Sequence, residues 1–274
     1  MRHQVQSIVL SSRHRISGTN TNFTVAIPQT GATGLSLGSV SLSSCMYTNM
    51  LANVPEPFNR YWWQETDGGP AQSFSIPPGH YTRDTLVAQM IEDSPQTAAC
   101  TILDSADGTI LLSHSGAGAR ALSVVGAKRA LDAERPRPDS VCSLNELLGL
   151  PTSDSDTLAV GDFGNDTWAY RTTPNLTGQK YMLLCCHETS PGRGYVAGLA
   201  APISLTAAIP ITCAYGETGM YEPNETGTTT TILDHTSSPR MLTFQLLNEF
   251  GVELSMPPNA DVIVNLTFIY QGDN

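Results

Sequence analysis

Six histidines stand singly, at positions 3, 14, 80, 114, 187 and 235, and none has the spacing that brings two imidazoles to one metal. H-E-x-x-H, H-x-x-x-H and an H-x-H followed by glutamate are all missing, so the usual placements of a metal on a helix or sandwich are not available. His80, in the turn Pro77-Pro-Gly-His-Tyr81, and His187, after Cys186, are the best single candidates, and the plainer reading of both is structural. No serine sits in the G-x-S-x-G elbow that exposes a nucleophile. Ser113-His-Ser-Gly116 and Asp139-Ser-Val-Cys142 hold suitable residue types, but adjacency in sequence is no catalytic geometry. The acid pairs Asp154/Asp156 and Asp162/Asp166 offer the oxygen donors that calcium takes. They lack the mid-loop glycine and closing glutamate of an EF-hand loop, so a solvated acidic loop is expected. Gly116-Ala-Gly118 has no lysine at phosphate-loop spacing. No catalytic, metal-binding or cofactor-binding residue is therefore expected, and no cofactor.

Two clusters remain as candidate interface residues. Tyr61, Trp62 and Trp63 could anchor a partner or stack on a sugar, against the plainer reading of one core indole and one at a rim. Arg129, Arg135 and Arg137 lie in a stretch with Arg120, Lys128, Asp132, Glu134 and Asp139, read as a mixed-charge mobile loop over residues 126–140.

The bulk composition narrows the partners. The formal net charge is −11, and only Lys128 and Lys180 among the fourteen basic residues are lysines. A chain that neutralises phosphates has the opposite balance, so nucleic acid is not expected as a direct partner. The six cysteines, at 45, 100, 142, 185, 186 and 213, include no C-x-x-C pair. The first residues lack the apolar run of a signal peptide, and no stretch approaches eighteen apolar residues, so no membrane span is expected. Buried free thiols in a protein made in a reducing compartment follow. The five N-x-[ST] sequons, at Asn22, Asn165, Asn175, Asn224 and Asn265, then carry little meaning.

The elements that would position these residues are mostly strands. Within residues 240–270, Leu242, Phe244 and Leu246 alternate with Thr243 and Gln245. A loop over 248–251 follows, Val252 and Leu254 restart the alternation, and a hairpin is expected. Val262, Val264, Leu266, Phe268 and Tyr270 then share one face of a final strand that should be inserted in the core. The phase slip at Gly38-Ser39 predicts a bulge, and Tyr181-Met-Leu-Leu-Cys-Cys186, apolar on both faces, predicts a central strand. Residues 76–151 have a different texture. Thr82 caps a helix carrying Leu86, Val87, Met90 and Ile91. A hairpin turns at 104–108, a strand is expected at 121–125, and Ser143-Leu-Asn-Glu146 reads as a capping box on a short helix ended by Gly149. The expectation is a mainly β chain: one domain over 1–274, a single jelly-roll β-sandwich with a small α+β insertion at about 76–151.

Four stretches, in this order, resemble a viral family, the single jelly-roll penton and minor capsid proteins of large double-stranded DNA viruses and virophages. Ser11-Ser-Arg-His-Arg-Ile-Ser-Gly18, continuing to Phe23-Thr-Val-Ala-Ile-Pro28, looks like the family's opening motif. Ile76-Pro-Pro-Gly-His-Tyr-Thr82 before Leu86 is similar to its helix entry, Leu144-Asn-Glu-Leu-Leu-Gly-Leu150 to its L-x-x-L-L-G motif, and Leu246-Leu-Asn-Glu-Phe-Gly-Val-Glu-Leu254 to its last one. The resemblance spans residues 11–270 and implies a non-enzymatic structural subunit of an icosahedral virion, made in the host cytoplasm. A penton would form a homopentamer at the five-fold vertices, beside major and minor capsid proteins and under a vertex spike or fibre. The alternatives are a minor capsid protein cementing major-capsid trimers, or a receptor- or glycan-binding jelly roll. The Arg-rich stretch at 126–140 departs from the family pattern.

Overall fold

The final strand, Val262–Gly272, lies inside a sheet with a neighbour on each side, as its alternation of buried Val262, Val264, Leu266 and Phe268 with half-buried residues demands. The computed structural model describes residues 3–27, 35–56, 58–65, 69–95, 101–104, 109–115, 119–134, 143–153, 167–188, 205–223, 241–249 and 251–272. In chain order the first elements are β1 (His3–Ser11), β2 (Ser17–Gly18), β3 (Asn22–Ala26), β4 (Leu35–Thr48), β5 (Arg60–Gln64) and β6 (Ala71–Ser75). Next come α1 (Arg83–Asp93), β7 (Thr101–Asp104), β8 (Ile110–Ser115), β9 (Arg120–Ala121), α2 (Val124–Glu134) and α3 (Leu144–Leu147). The chain continues through β10 (Thr167–Thr172), β11 (Tyr181–Cys186), β12 (Leu205–Pro210), β13 (Thr218–Tyr221), β14 (Met241–Leu247) and β15 (Val262–Gly272).

The chain divides into two compact units: Met1–Leu51 with Gln179–Asn274, and Ala52–Gly178. In the first, one sheet runs β1-β15-β4-β13 and the other β12-β11-β14-β3-β2. The antiparallel pairs are nested. β1 pairs with β15, β3 with β14, β4 with β13, and β11 with β12. Eight strands paired first-with-last in this way are one long hairpin rolled into two sheets, which is a jelly roll. The inner faces meet in a single core, in which Ile8, Val40, Tyr47, Leu266 and Phe268 from one sheet pack with Phe23, Met182, Leu184 and Phe244 from the other. Phe23 and Phe244 sit with ring centroids 5.4 Å apart.

The pairing of β15 with β4 skips Gly38, opposing Ile269 to Ser39 and Tyr270 to Leu37, so the bulge falls where the sequence phase slips. β11 lies between β12 and β14 with both faces buried, as its sequence predicts. The expected C-terminal hairpin shrinks to one bridge, Leu247 with Glu253. Asn248 holds the turn, its backbone N–H donating to Val252 O and its Oδ1 accepting from the Val252 N–H, so no strand forms at 252–254.

The second unit lies between β4 and β11 in the chain. It holds the sheets β6-β5-β9 and β10-β8-β7 and the three helices. The hairpin of β7 and β8 and the Thr82-capped α1 form as expected, with Leu86, Val87 and Met90 buried. Two local expectations are corrected. Residues 124–134, read as the end of a strand and part of a loop, are helix α2: Ser123 Oγ accepts from the Gly126 N–H, and Val124, Ala127 and Leu131 turn one stripe inward. The capping box at Ser143 is not made. Ser143 Oγ has no hydrogen-bond partner, and Glu146 lies 3.4 Å from Lys128 Nζ instead. The expectations for residues 31–34, 135–140, 154–166, 190–194 and 228–233 lie outside the described residues.

Cys45, Cys185 and Cys186 are buried free thiols and Cys213 is half-buried. Burial pushes the Cys45 thiol from 9.0 up to about 12 and that of Cys185 up to about 11. The unfolded chain ionises these thiols first, so their contribution is intact below about pH 9 and is lost as pH rises toward the folded values. Each open titration costs at most about 1.4 kcal/mol per pH unit. The urea midpoint should therefore fall between about pH 8.5 and 10.5, and Cys45→Val should flatten part of that fall. Equal slopes for the two proteins would refute the assignment.

Candidate functional site

The candidate aromatic anchor is not at a surface. Tyr61, Trp62 and Trp63 on β5 are all buried, packed on residues of their own unit. Tyr61 and Trp63 point into the larger cluster with Phe74, Leu112 and Ile76, while Trp62, on the opposite face of the strand, packs on Leu122, Ala127 and Leu131. Successive side chains of a strand alternate, and here both faces are covered, the second one by α2. A side chain buried within its own unit offers no area to a partner, so the three aromatics are core. Arg129 is exposed on α2, and Arg135 and Arg137 lie outside the described residues. The guanidinium beside the aromatics is Arg60, 5.5 Å over the Trp62 ring and 2.5 Å from Glu134 Oε2.

Among the described side chains the histidines do not converge. His14, His80 and His187 are exposed on separate elements. His114 is fully buried on β8, with its Nε2 2.9 Å from Tyr61 Oη and its ring stacked on Tyr61 and Trp63. Among the described residues no three His, Cys, Asp or Glu side chains come together in a metal-binding group, and no helix is long and apolar enough to cross a membrane.

The polar residues that do converge build clasps. At the end of β1, Asp261 accepts hydrogen bonds from Ser11 Oγ (3.0 Å) and Ser12 Oγ (2.7 Å) and pairs with Arg13 (3.2 Å). Ser12 Oγ in turn accepts from the Val262 N–H, so the start of β15 is locked to the end of β1. Arg15 donates to Ser12 O and Asn20 Oδ1, and buried Asn20 donates to Pro257 O and Ala260 O. Gly18, at φ 94°, closes the turn where a Cβ would lie 2.0 Å from Asn22 O. Asn53 holds the Gly79–Tyr81 turn the same way, accepting from the Tyr81 N–H and donating to Tyr81 O and Leu176 O. Asn145, fully buried, accepts from the Trp62 N–H and donates to Trp62 O and Leu122 O, each at 2.9 Å. Each of the four motif stretches thus contains, or is held by, a buried asparagine or serine that satisfies backbone groups: Ser12, Asn53, Asn145 and Asn248. Sequence reasoning missed these asparagines, since nothing in a single sequence marks a polar residue as buried.

No protein-family model matches the sequence, and no curated protein matches it. Solved structures similar to the chain include the mavirus penton protein, with a TM-score of 0.42 at 5% identity over 99% of this chain and 100% of that one. Another is the Sputnik virophage, with a TM-score of 0.41 at 11% identity over 97% of each chain. At these identities neither fixes the role of any residue here.

Proposed function

We propose that this chain is a non-enzymatic structural subunit of an icosahedral virus shell, a penton that closes into a homopentamer at the five-fold vertices. The observation that carries the reading is the nested eight-strand jelly roll, in a chain whose motif order from residue 11 to 270 resembles the penton and minor capsid family. The motif residues serve as structural clasps rather than as a reactive centre, as suits a protein whose product is a shape. A wedge-like sandwich packed heterologously round an axis closes a ring without any new chemistry. Its neighbours would be further copies of itself, the major and minor capsid proteins and a vertex spike or fibre.

Light scattering on the purified full chain tests this. One chain is 29.3 kDa, and a closed pentamer is five times that, 146.5 kDa. A trimer or a dimer as the stable species would overturn the vertex role, and a trimer would favour a cementing subunit.

A further inference from the structure

The two outer faces of the jelly roll differ. On the β12-β11-β14-β3 sheet, Leu183, Cys185 and Leu247 form a buried cluster on the side away from the main core. On the β1-β15-β4-β13 sheet the outward residues are open. Val5 is 63% exposed, Val9 67%, Met46 38% and Met220 55%, four of the ten large hydrophobics that the described surface exposes. The strand register sets them in rows. Met220 lies opposite Met46, and Met46 opposite Ile263, while Val5 lies beside Ile269 and Val9 beside Asn265. The other outward positions with described side chains are Ser and Thr, and no charged residue stands among them from one edge strand to the other.

We infer that this uncharged sheet face is the surface on which a second copy of this chain docks. The occupant follows from charge. Two chains of −11 repel, and a further copy docks at least cost on a face that adds no charge of its own to the contact. Depletion of charge together with exposed methionine marks an interface centre rather than a solvated sheet face. Size agrees. Four strands at about 4.8 Å spacing and nine residues at about 3.3 Å cover a projected area of roughly 570 Å², near the roughly 800 Å² per partner of a standard interface once side-chain relief is counted. The inference deepens the proposed function by naming the self-contact, and it rests on that reading only for the number of copies.

The test is the mass of the full chain by light scattering for wild type, Val9→Glu, Val9→Lys and Leu103→Glu. Val9 is exposed and outward, so both substitutions leave the fold intact, which an unchanged circular dichroism spectrum verifies. A charge of either sign buried without a partner should weaken self-association by about 100-fold or more, returning both Val9 variants to 29.3 kDa. Leu103→Glu, exposed in the second unit, should keep the wild-type mass. A wild-type oligomer whose mass is unchanged in both Val9 variants overturns the inference, and so does a wild-type monomer. A pentamer indifferent to Val9 leaves the vertex reading standing while this surface falls. A dimer split by both Val9 variants does the reverse.

Discussion

Asn145→Ala is expected to lower the stability of the second unit by about 3–5 kcal/mol, because three buried hydrogen bonds go at once and their backbone partners stay buried. Asn145 sits at the start of α3, yet its amide works as one residue of a strand would, exchanging both N–H and C=O bonds with Trp62 and taking Leu122 O besides. Leu122 N–H still donates to Trp62 O in the variant, so that carbonyl keeps one partner. The Trp62 N–H and Leu122 O lose the bond that the amide makes to each. Asn145→Asp should be at least as damaging, since its carboxylate keeps the acceptor but faces two carbonyl oxygens without a donor. All three tryptophans, 62, 63 and 168, lie in the second unit, so their fluorescence reports its unfolding. For a typical urea slope of about 2 kcal/mol per molar, the midpoint should fall by roughly 2 M. A fall smaller than about a quarter of that would show that the amide is not the strut described.

What the sequence shows and what it hides divides along one physical line. Period-two burial is local, so β15, β11, the β7–β8 hairpin and even the Gly38 bulge can be read from neighbouring residues. The nested pairing is not local. β1 meets β15 across some 250 residues, and nothing within either strand names the other. β13 cannot be read locally, because Thr218-Gly-Met-Tyr221 alternates too briefly to show a face, although it completes the sheet. The start of α2 resembles a strand because Ala121, Leu122, Val124 and Val125 together carry a strand-like composition, and the Ser123 cap with Val124, Ala127 and Leu131 at helical spacing is the signal that outweighs it. Trp62 is core because α2 covers it, and no residue within β5 announces that cover. Types that suit an interface, Tyr and Trp, also suit a core, and only the three-dimensional neighbours decide between them.

Gly219→Ala should destabilise the jelly roll by about 3 kcal/mol, at the upper end of what one buried methyl in a packed core costs. The position is in β13, directly opposite Tyr47 on β4. A Cβ there would lie 2.4 Å from Tyr47 Cζ and 2.6 Å from its hydroxyl, far inside van der Waals contact. A long side chain could swing away from such an intruder, but this ring is fixed at both ends. It is buried on the inner face of its strand, and its hydroxyl donates to Pro210 O (2.8 Å) while accepting from the Thr212 N–H (3.3 Å). Tyr47 is thereby a strut from one sheet to the end of β12 in the other, and burial together with the neighbouring Cys213 holds its phenol above the usual range. The strain should therefore pass into the sheet pairing rather than vanish in a rotamer change. Chemical denaturation followed by far-ultraviolet circular dichroism measures the loss, and a double-mutant cycle assigns it. Tyr47→Leu alone removes the strut and should cost about 2–3 kcal/mol through the cavity and the unpaired Pro210 carbonyl. In the double variant the methyl has room, so the two losses should fall short of their sum by at least about 1 kcal/mol. Strict additivity would mean that the glycine is required for its backbone and not for the tyrosine lying over it.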